Sequence, residues 1–368
     1  MALQPAGRPV TTSGRCTVRR YTRPSLVVAA ATAILGLLVA CNPAAPGQGK
    51  EFKGGSVRLA QPLVNLSYLS IDTARANKTF ADNDVKVKWA LASGGDSSIL
   101  AALSAGDVQF AAVGTEAALA AVDKGQEYKL VYCVNSSLSQ ELVVSKRWLK
   151  KAGVSPDDPV EKRLAALKGA TIGVSALGGL QDQLAQYYLD KGGVSESDAR
   201  IAKIGPPPAL EAALEKGQID AFVLSPPEGL KMADSGIGEV LLRNDEIPEL
   251  KQVCGLSLVV TEDFAQQNGD LIKKVTASLA DASADIDDDP TGSADSVREA
   301  YYPKVTKPLM RQSVDQLAPA VRGRGRMNEP MMSAAVRFVE KTGGHGLSID
   351  AASGKGEWWT NEFLPKAG

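Results

Sequence analysis

The stretch "ALSAGDVQFAAV", residues 102–113, returns 111 residues later as "ALEKGQIDAFVL", residues 213–224. Each reads as a helix end, a glycine suited to the left-handed cap (Gly106, Gly217) and an apolar run fit for a buried strand. A second pair follows in the same order. It is "LVVSKRWLKKAG" at 142–153 and "LVVTEDFAQQNG" at 258–269, 116 residues apart, each a strand running into an amphipathic helix. Single echoes are common among α/β units. Two in the same order at near-equal spacing predict two domains of like construction.

Outward from these stretches, short β-rich runs alternate with helical patterns. "SVRLA" at 56–60 is a strand, a helix is expected over 71–80, and "VKVKWALA" at 85–92 alternates as a strand until Gly94-Gly95 breaks it. Asp96 or Ser97 is placed to N-cap the next helix. "YKLVYCV" at 128–134 is a further strand, and Gly114-Thr115 opens a helix running to about Lys124. Residues 166–193 read as strand, Gly-rich turn and helix, and Pro208 suits the first turn of another helix. After Cys254 the chain is chiefly helical, over about 270–288, 292–302, 313–320 and 330–342. The acidic "DIDDDP" at 285–290 reads as a solvated helix end, since the spacing of a calcium loop is missing. Such βα alternation implies mostly parallel sheets covered by helices.

Lys plus Arg total 41 against 42 Asp plus Glu, and the first 40 residues hold arginines without acids, so the remainder is mildly acidic. That speaks against nucleic acid, whose partners carry a basic face. The single histidine, His345, sits in the Gly-rich "TGGHGLS". One His and no Cys-x-x-Cys make no familiar zinc cluster, and a Ser-His-Asp triad would have to be built on this one loop. Gly-x-Gly-x-x-Gly and Walker A patterns are missing as well. The expectation is a protein without metal or cofactor, and not an enzyme.

The run 26–40 is uncharged and apolar, and Arg8, Arg15, Arg19, Arg20 and Arg23 precede it. It falls short of the roughly 20 residues a membrane span needs and reads as a secretory signal. Leu38-Val39-Ala40-Cys41 resembles the bacterial lipobox. That resemblance implies a leader over 1–40 and a lipidated Cys41 as mature N-terminus. Residues 41–54, rich in Pro and Gly, then form a flexible tether. An ordinary signal peptide and an uncleaved anchor are the alternatives. The expected place is outside the cytoplasm, lipid-anchored, on the periplasmic or outer face of the membrane. Roughly 330 residues remain after the leader, a length suited to two domains. Cys133 and Cys254 are left either as a disulfide, permitted in that compartment, or as two buried thiols.

In order and spacing, "ASGGDSSILAALSAGDVQFAAVGT" (92–115), "LKGATIGVSALGG" (167–179), "ALEKGQIDAFVLSPPEG" (213–229) and "LVVTEDFAQQNGDLIKKV" (258–275) resemble one family. It is that of the periplasmic substrate-binding proteins of ABC importers, of the nitrate/sulfonate/taurine type to which thiamine-precursor binders are related. The resemblance implies an α/β, two-lobed periplasmic-binding-protein fold of type II, each lobe a mixed, mostly parallel sheet flanked by helices. Lobe I would comprise 55–140 and 256–368, and lobe II 141–255. Crossovers near Leu142 and Leu258 would form the hinge, with Cys133 and Cys254 close together beside it. The implied function is capture of a small organic molecule between the lobes by a monomer that delivers it to a membrane permease. An enzyme on the same fold (a dehydratase or biosynthetic enzyme) and an anchored receptor serving a sensor are the rivals.

Ligands bind outside the carboxyl ends of parallel strands. The segments 65–68, 94–97, 114–116, 135–137, 175–181 and 225–228 occupy such ends. They offer Asn65, Tyr68, Gly95, Asp96, Ser97, Thr115, Glu116, Asn135, Ser175, Gly178, Gly179, Gln181, Ser225 and Glu228 as ligand-binding residues. These segments hold three carboxylates and no Lys or Arg. Because an unpaired buried carboxylate is costly, the expected ligand carries N–H or hydroxyl donors, packed on Tyr68 or Phe222, and is not a bare oxyanion. Arg322, Arg324 and Arg326 read as a solvated loop, with permease contact as the alternative.

Overall fold

The computed structural model describes residues 52, 54–92, 94–195, 197–342 and 346–366; the leader, Cys41 and His345 lie outside the described residues. The described strands form two five-stranded sheets. One holds β1 (Val57–Gln61), β2 (Val87–Leu91), β3 (Phe110–Gly114), β4 (Tyr128–Asn135) and β10 (Leu256–Thr261), in the order β2-β1-β3-β10-β4. The other holds β5 (Glu141–Ser145), β6 (Thr171–Val174), β7 (Arg200–Lys203), β8 (Ala221–Leu224) and β9 (Gly238–Arg243), in the order β7-β6-β8-β5-β9. In each, three strands run parallel and a fourth, antiparallel strand is inserted before the last.

The repeated stretches are partners in these sheets. Leu258 of β10 lies opposite Ala112 of β3, and Leu142 of β5 lies opposite Val223 of β8. Those four residues hold matching places in the two echoes, so both sheets use the same register. Each inserted strand is the first to follow a crossover from the other lobe. The chain passes from β4 to β5 and later from β9 to β10, so two crossovers join the sheets, near Leu142 and Leu258.

Every residue of β3, β4, β5 and β8 is buried. Strands covered on both faces need continuous apolar runs, and each fully buried Val or Leu contributes about 1.5–3 kcal/mol. The outer side of β4 is covered too. Leu130 N donates to Trp358 O, and Cys133 N donates to Gly325 O (both 2.9 Å). Gly325 has φ +79°, and a Cβ there would fall on the Tyr132 ring, so only glycine fits. Cys133 of β4 and Cys254, just before β10, are joined by a disulfide with Cα atoms 5.8 Å apart.

Several local expectations are revised. The helix expected over 71–80 is two, Leu69–Ala76 and Thr79–Asp82, broken at Lys78, which takes φ +66°. The break lets Asn77 donate to Asp285 and Thr79 donate to Ser278 O (both 2.7 Å), following the long helix Gly269–Asp288. The helix expected from 313 starts six residues earlier, at Lys307, because Pro308 is tolerated in a first turn. Phe52, inside the expected tether, packs on the core around β1 and donates its N–H to Asn268 (2.8 Å). The helix Glu329–Thr342 touches both the helix Thr115–Asp123 and the helix Leu180–Lys191, so the C-terminal part contacts both lobes. Among the described residues no helix is long and apolar enough to cross a membrane.

Candidate functional site

The carboxyl ends of β1 and β8 meet beside the first crossover through a cluster of hydroxyls. Ser67 Oγ lies 2.5 Å from Ser225 Oγ, and Ser139 Oγ lies 2.9 Å from Ser225 Oγ. Ser67 Oγ also donates to Asn65 Oδ1 (2.6 Å), which takes the Ser67 N–H as well (2.8 Å). One residue from each lobe and the half-buried Ser139 of the crossover thus share a single network. Gln140 reaches it too, Nε2 to Ser67 Oγ at 3.4 Å.

Around this floor stand carboxylates with incomplete partners. At the β3 end, Asp96 Oδ2 accepts from Gly114 N (3.2 Å), and Glu116 folds back to accept from its own N–H. Asp96 Oδ1 and Glu116 Oε1 have no protein partner. Burial raises both carboxyls, and for Glu116 the charge of Asp96 adds to it. Tyr68, itself buried, feels both and is raised by burial first. On lobe II, burial lifts Glu228 to about 7 and Glu141 to about 8, with Lys231 and Arg243 opposing these rises. Neither Glu141 oxygen has a partner. Asp72 of lobe I is lifted to about 7 by burial, against the pull of Arg75 at 3.5 Å. Burial raises Tyr302, and the charges of Asp72 and Glu228 both add to that rise. Beside the crossover opens a cavity of about 340 Å³ whose wall includes Ser139, Gln140, Glu141, Arg243 and Gln316.

The residues read from the sequence divide into three groups. Asn65, Tyr68, Asp96, Glu116 and Ser225 belong to the floor network or to the carboxylate group around Gly114. Glu228 is buried, follows a cis Pro226–Pro227 peptide, and its Oε2 is unpartnered. Thr115 and Asn135 serve the framework. Thr115 Oγ1 lies 2.6 Å from Ser257 Oγ inside the sheet, and Asn135 Oδ1 takes the Ser137 N–H (3.1 Å) at the crossover. Asp96 is the first residue of its helix and reaches across to Gly114 instead of capping; Gly95 takes the cap position, and Ser97 is exposed. In lobe II, Ser175 Oγ is unpartnered, Gly178 N donates to Asp182 (2.7 Å), Gly179 caps the helix Leu180–Lys191, and Gln181 is half-buried. Sequence reasoning missed Ser67, Ser139, Gln140, Glu141 and Asp72. Ser67 fell within a segment already singled out, and the loop before Leu142 was the only pointer to the next three. Among the described residues no group of His, Cys, Asp and Glu could hold a metal ion.

Two sheets of this order, joined by two crossovers with polar strand ends turned toward each other, define the class of two-lobed periplasmic binding proteins. Solved structures bear out that fold. A Bordetella bronchiseptica RB50 protein matches with TM-score 0.67 and 21% identity over 84% of this chain and 95% of its own. The periplasmic nitrate-binding protein of Synechocystis PCC 6803 matches with TM-score 0.59 and 14% identity over 78% of this chain and 80% of its own. The periplasmic aliphatic sulphonate-binding protein of Escherichia coli matches with TM-score 0.55 and 18% identity over 72% and 84%. Residues 65–299 match the NMT1-like family, and the chain belongs to it. The taurine-binding periplasmic protein of Escherichia coli (strain K12) is 27% identical over 211 residues, 57% of this chain; the match spans 60% of that relative's length.

Proposed function

We propose that this protein is the extracytoplasmic solute-binding component of an ABC importer. It captures a small organic molecule between its lobes and delivers it to a membrane permease. The observation that carries this reading is the interlobe network of Ser67, Ser139 and Ser225, surrounded by buried polar atoms that the protein leaves unpartnered. Such atoms are costly unless a bound molecule or water completes them. The family, and the taurine-binding, periplasmic character of the Escherichia coli relative, point the same way. Binding is favoured over catalysis because the three serine hydroxyls bond to one another and to Asn65, with no base beside them. A lipid on Cys41 would hold the protein at the membrane outside the cytoplasm, and its folded part would work as a monomer.

A ligand shifts the lobes only by its differential affinity for the closed state, about 1.4 kcal/mol for each tenfold change in population. Native mass spectrometry of protein purified without refolding should therefore detach a small molecule. Re-adding it should compact the protein by small-angle scattering. If no solute is found and none from the growth medium compacts the protein, the reading fails. Intact mass of membrane-derived protein tests the anchor: retention of residues 1–40 would exclude it.

A further inference from the structure

We infer that the cleft selects a protonated amine and turns away free anions, an inference that rests on solute capture between the lobes. The N-terminus of the helix Thr115–Asp123 is the place in lobe I where an anionic solute would be held, by free N–H donors and about half a positive charge. Here the protein's own carboxylates occupy it. Gly114 N donates to Asp96, and the Glu116 carboxylate closes on its own N–H. Gly114 makes this fit possible, since a Cβ at that position would collide with the Glu116 carboxylate.

The charge does not end there. Glu116 is 3% exposed, yet its Oε1 has no donor, and Asp96 Oδ1 is likewise unpartnered. Two unpartnered carboxylate oxygens on residues close enough for the charge of one to raise the other call for N–H donors that bring positive charge with them. Tyr68, packed in the lobe I core, lies near enough for both acids to raise its hydroxyl after burial. Its hydroxyl makes no hydrogen bond among the described residues. The strand-end segments 65–68, 94–97, 114–116, 175–181 and 225–228 contain no Lys or Arg. Arg75, the cation near Asp72, is already committed: it pairs with Asp72 and lies between the rings of Trp89 (4.1 Å) and Tyr301 (4.4 Å). An oxyanion brought to this helix end would find its donors taken by Asp96 and Glu116, whereas an ammonium group completes the unpaired oxygens and restores their charge; Arg243 lines the cavity on the other side, beside Glu141.

The test begins with the molecule that native mass spectrometry releases. A solute with a protonatable nitrogen supports the inference. An anion without one overturns it and leaves solute capture standing, while no bound solute removes the capture reading and this inference with it. Calorimetry then follows the released solute, with butanesulfonate as the anionic probe, on the wild type and on Asp96→Asn/Glu116→Gln. The double change keeps side-chain volume and frees the helix end. The amine should weaken by about 10- to 100-fold while butanesulfonate, bound only by a folded variant, gains measurable affinity. Unchanged amine affinity would overturn the inference.

Discussion

In lobe I, β3 runs through Gly114 directly into a nine-residue helix, and the carboxylate in its first turn, Glu116, lies back over the helix end. In lobe II the equivalent strand β8 runs through Ser225, Pro226 and Pro227 before a seven-residue helix whose first residue is Glu228. The strands match in register, while the ends are built for different tasks. The lobe I end gathers two neighbouring carboxyls that burial raises. The lobe II end offers a neutral hydroxyl to the floor, and its carboxylate, Glu228, is buried with Oε2 unpartnered. Frame and edge are therefore separable: the paired strands hold the lobes, and the few residues past them decide what is gripped.

That separation can be broken at several points. The disulfide ties β4 of lobe I to Cys254, at the end of the return crossover into β10, across a sequence separation of 121, and has no counterpart within the lobe II sheet among the described residues. Replacing both cysteines with serine should lower lobe I stability by about 3–5 kcal/mol, as expected for closure of so long a loop. Urea unfolding should then separate into an early lobe I and a later lobe II transition, the latter followed through Trp148. A single unshifted transition would show that the bond contributes nothing.

The next effect is one of pH. Glu141 at about 8 and Glu228 and Asp72 at about 7 all stand above their unfolded values, so the folded protein holds protons that the unfolded chain has lost. Their contribution is fully present below about pH 4 and is lost as pH rises through 7 and 8. Ligand-free protein should therefore be more stable at pH 5 than at pH 8.5, and Glu141→Gln should flatten the upper part of that slope, raising stability at pH 8.5 by on the order of 2 kcal/mol. A flat profile in the wild type would mean that these acids are compensated in solution.

Ser225→Ala removes contacts to Ser67 and Ser139 together. It should weaken lobe closure by about 1 kcal/mol, read as a smaller compacted fraction at fixed solute concentration. Equal compaction would remove the hydroxyls from the clasp. Ser97→Ala is the smallest case: the side chain is exposed beside Asp96 and should change stability and binding by less than about 0.5 kcal/mol. A larger change would extend the lobe I grip beyond Asp96.

The frame was legible because apolar strands repeat. Leu142 and Leu258, or Ala112 and Val223, announce themselves by pattern, and pattern carries register. β9 escaped, since "GEVLLR" lies in an irregular stretch with no partner in the echo. Strand ends were legible as positions, which brought in Asn65, Asp96, Glu116 and Ser225. What each side chain does there was not. Whether Thr115 turns into the sheet toward Ser257 or out toward a ligand depends on one rotamer, and Asp96 gave up capping for a donor 18 residues away. Ser139 and Glu141 acquire meaning only once two distant strand ends close on the crossover.

The strand order sets a timetable for synthesis. All five strands of lobe II are contiguous in the chain, from Glu141 to Arg243, so that sheet can assemble as soon as its residues have emerged. Lobe I begins first and finishes last. Its β10 lies between β3 and β4 but is the final strand made, so these two wait with open edges while the whole of lobe II is produced. The lobe that gathers the paired carboxyls around Gly114 is also the one that stays unfinished longest.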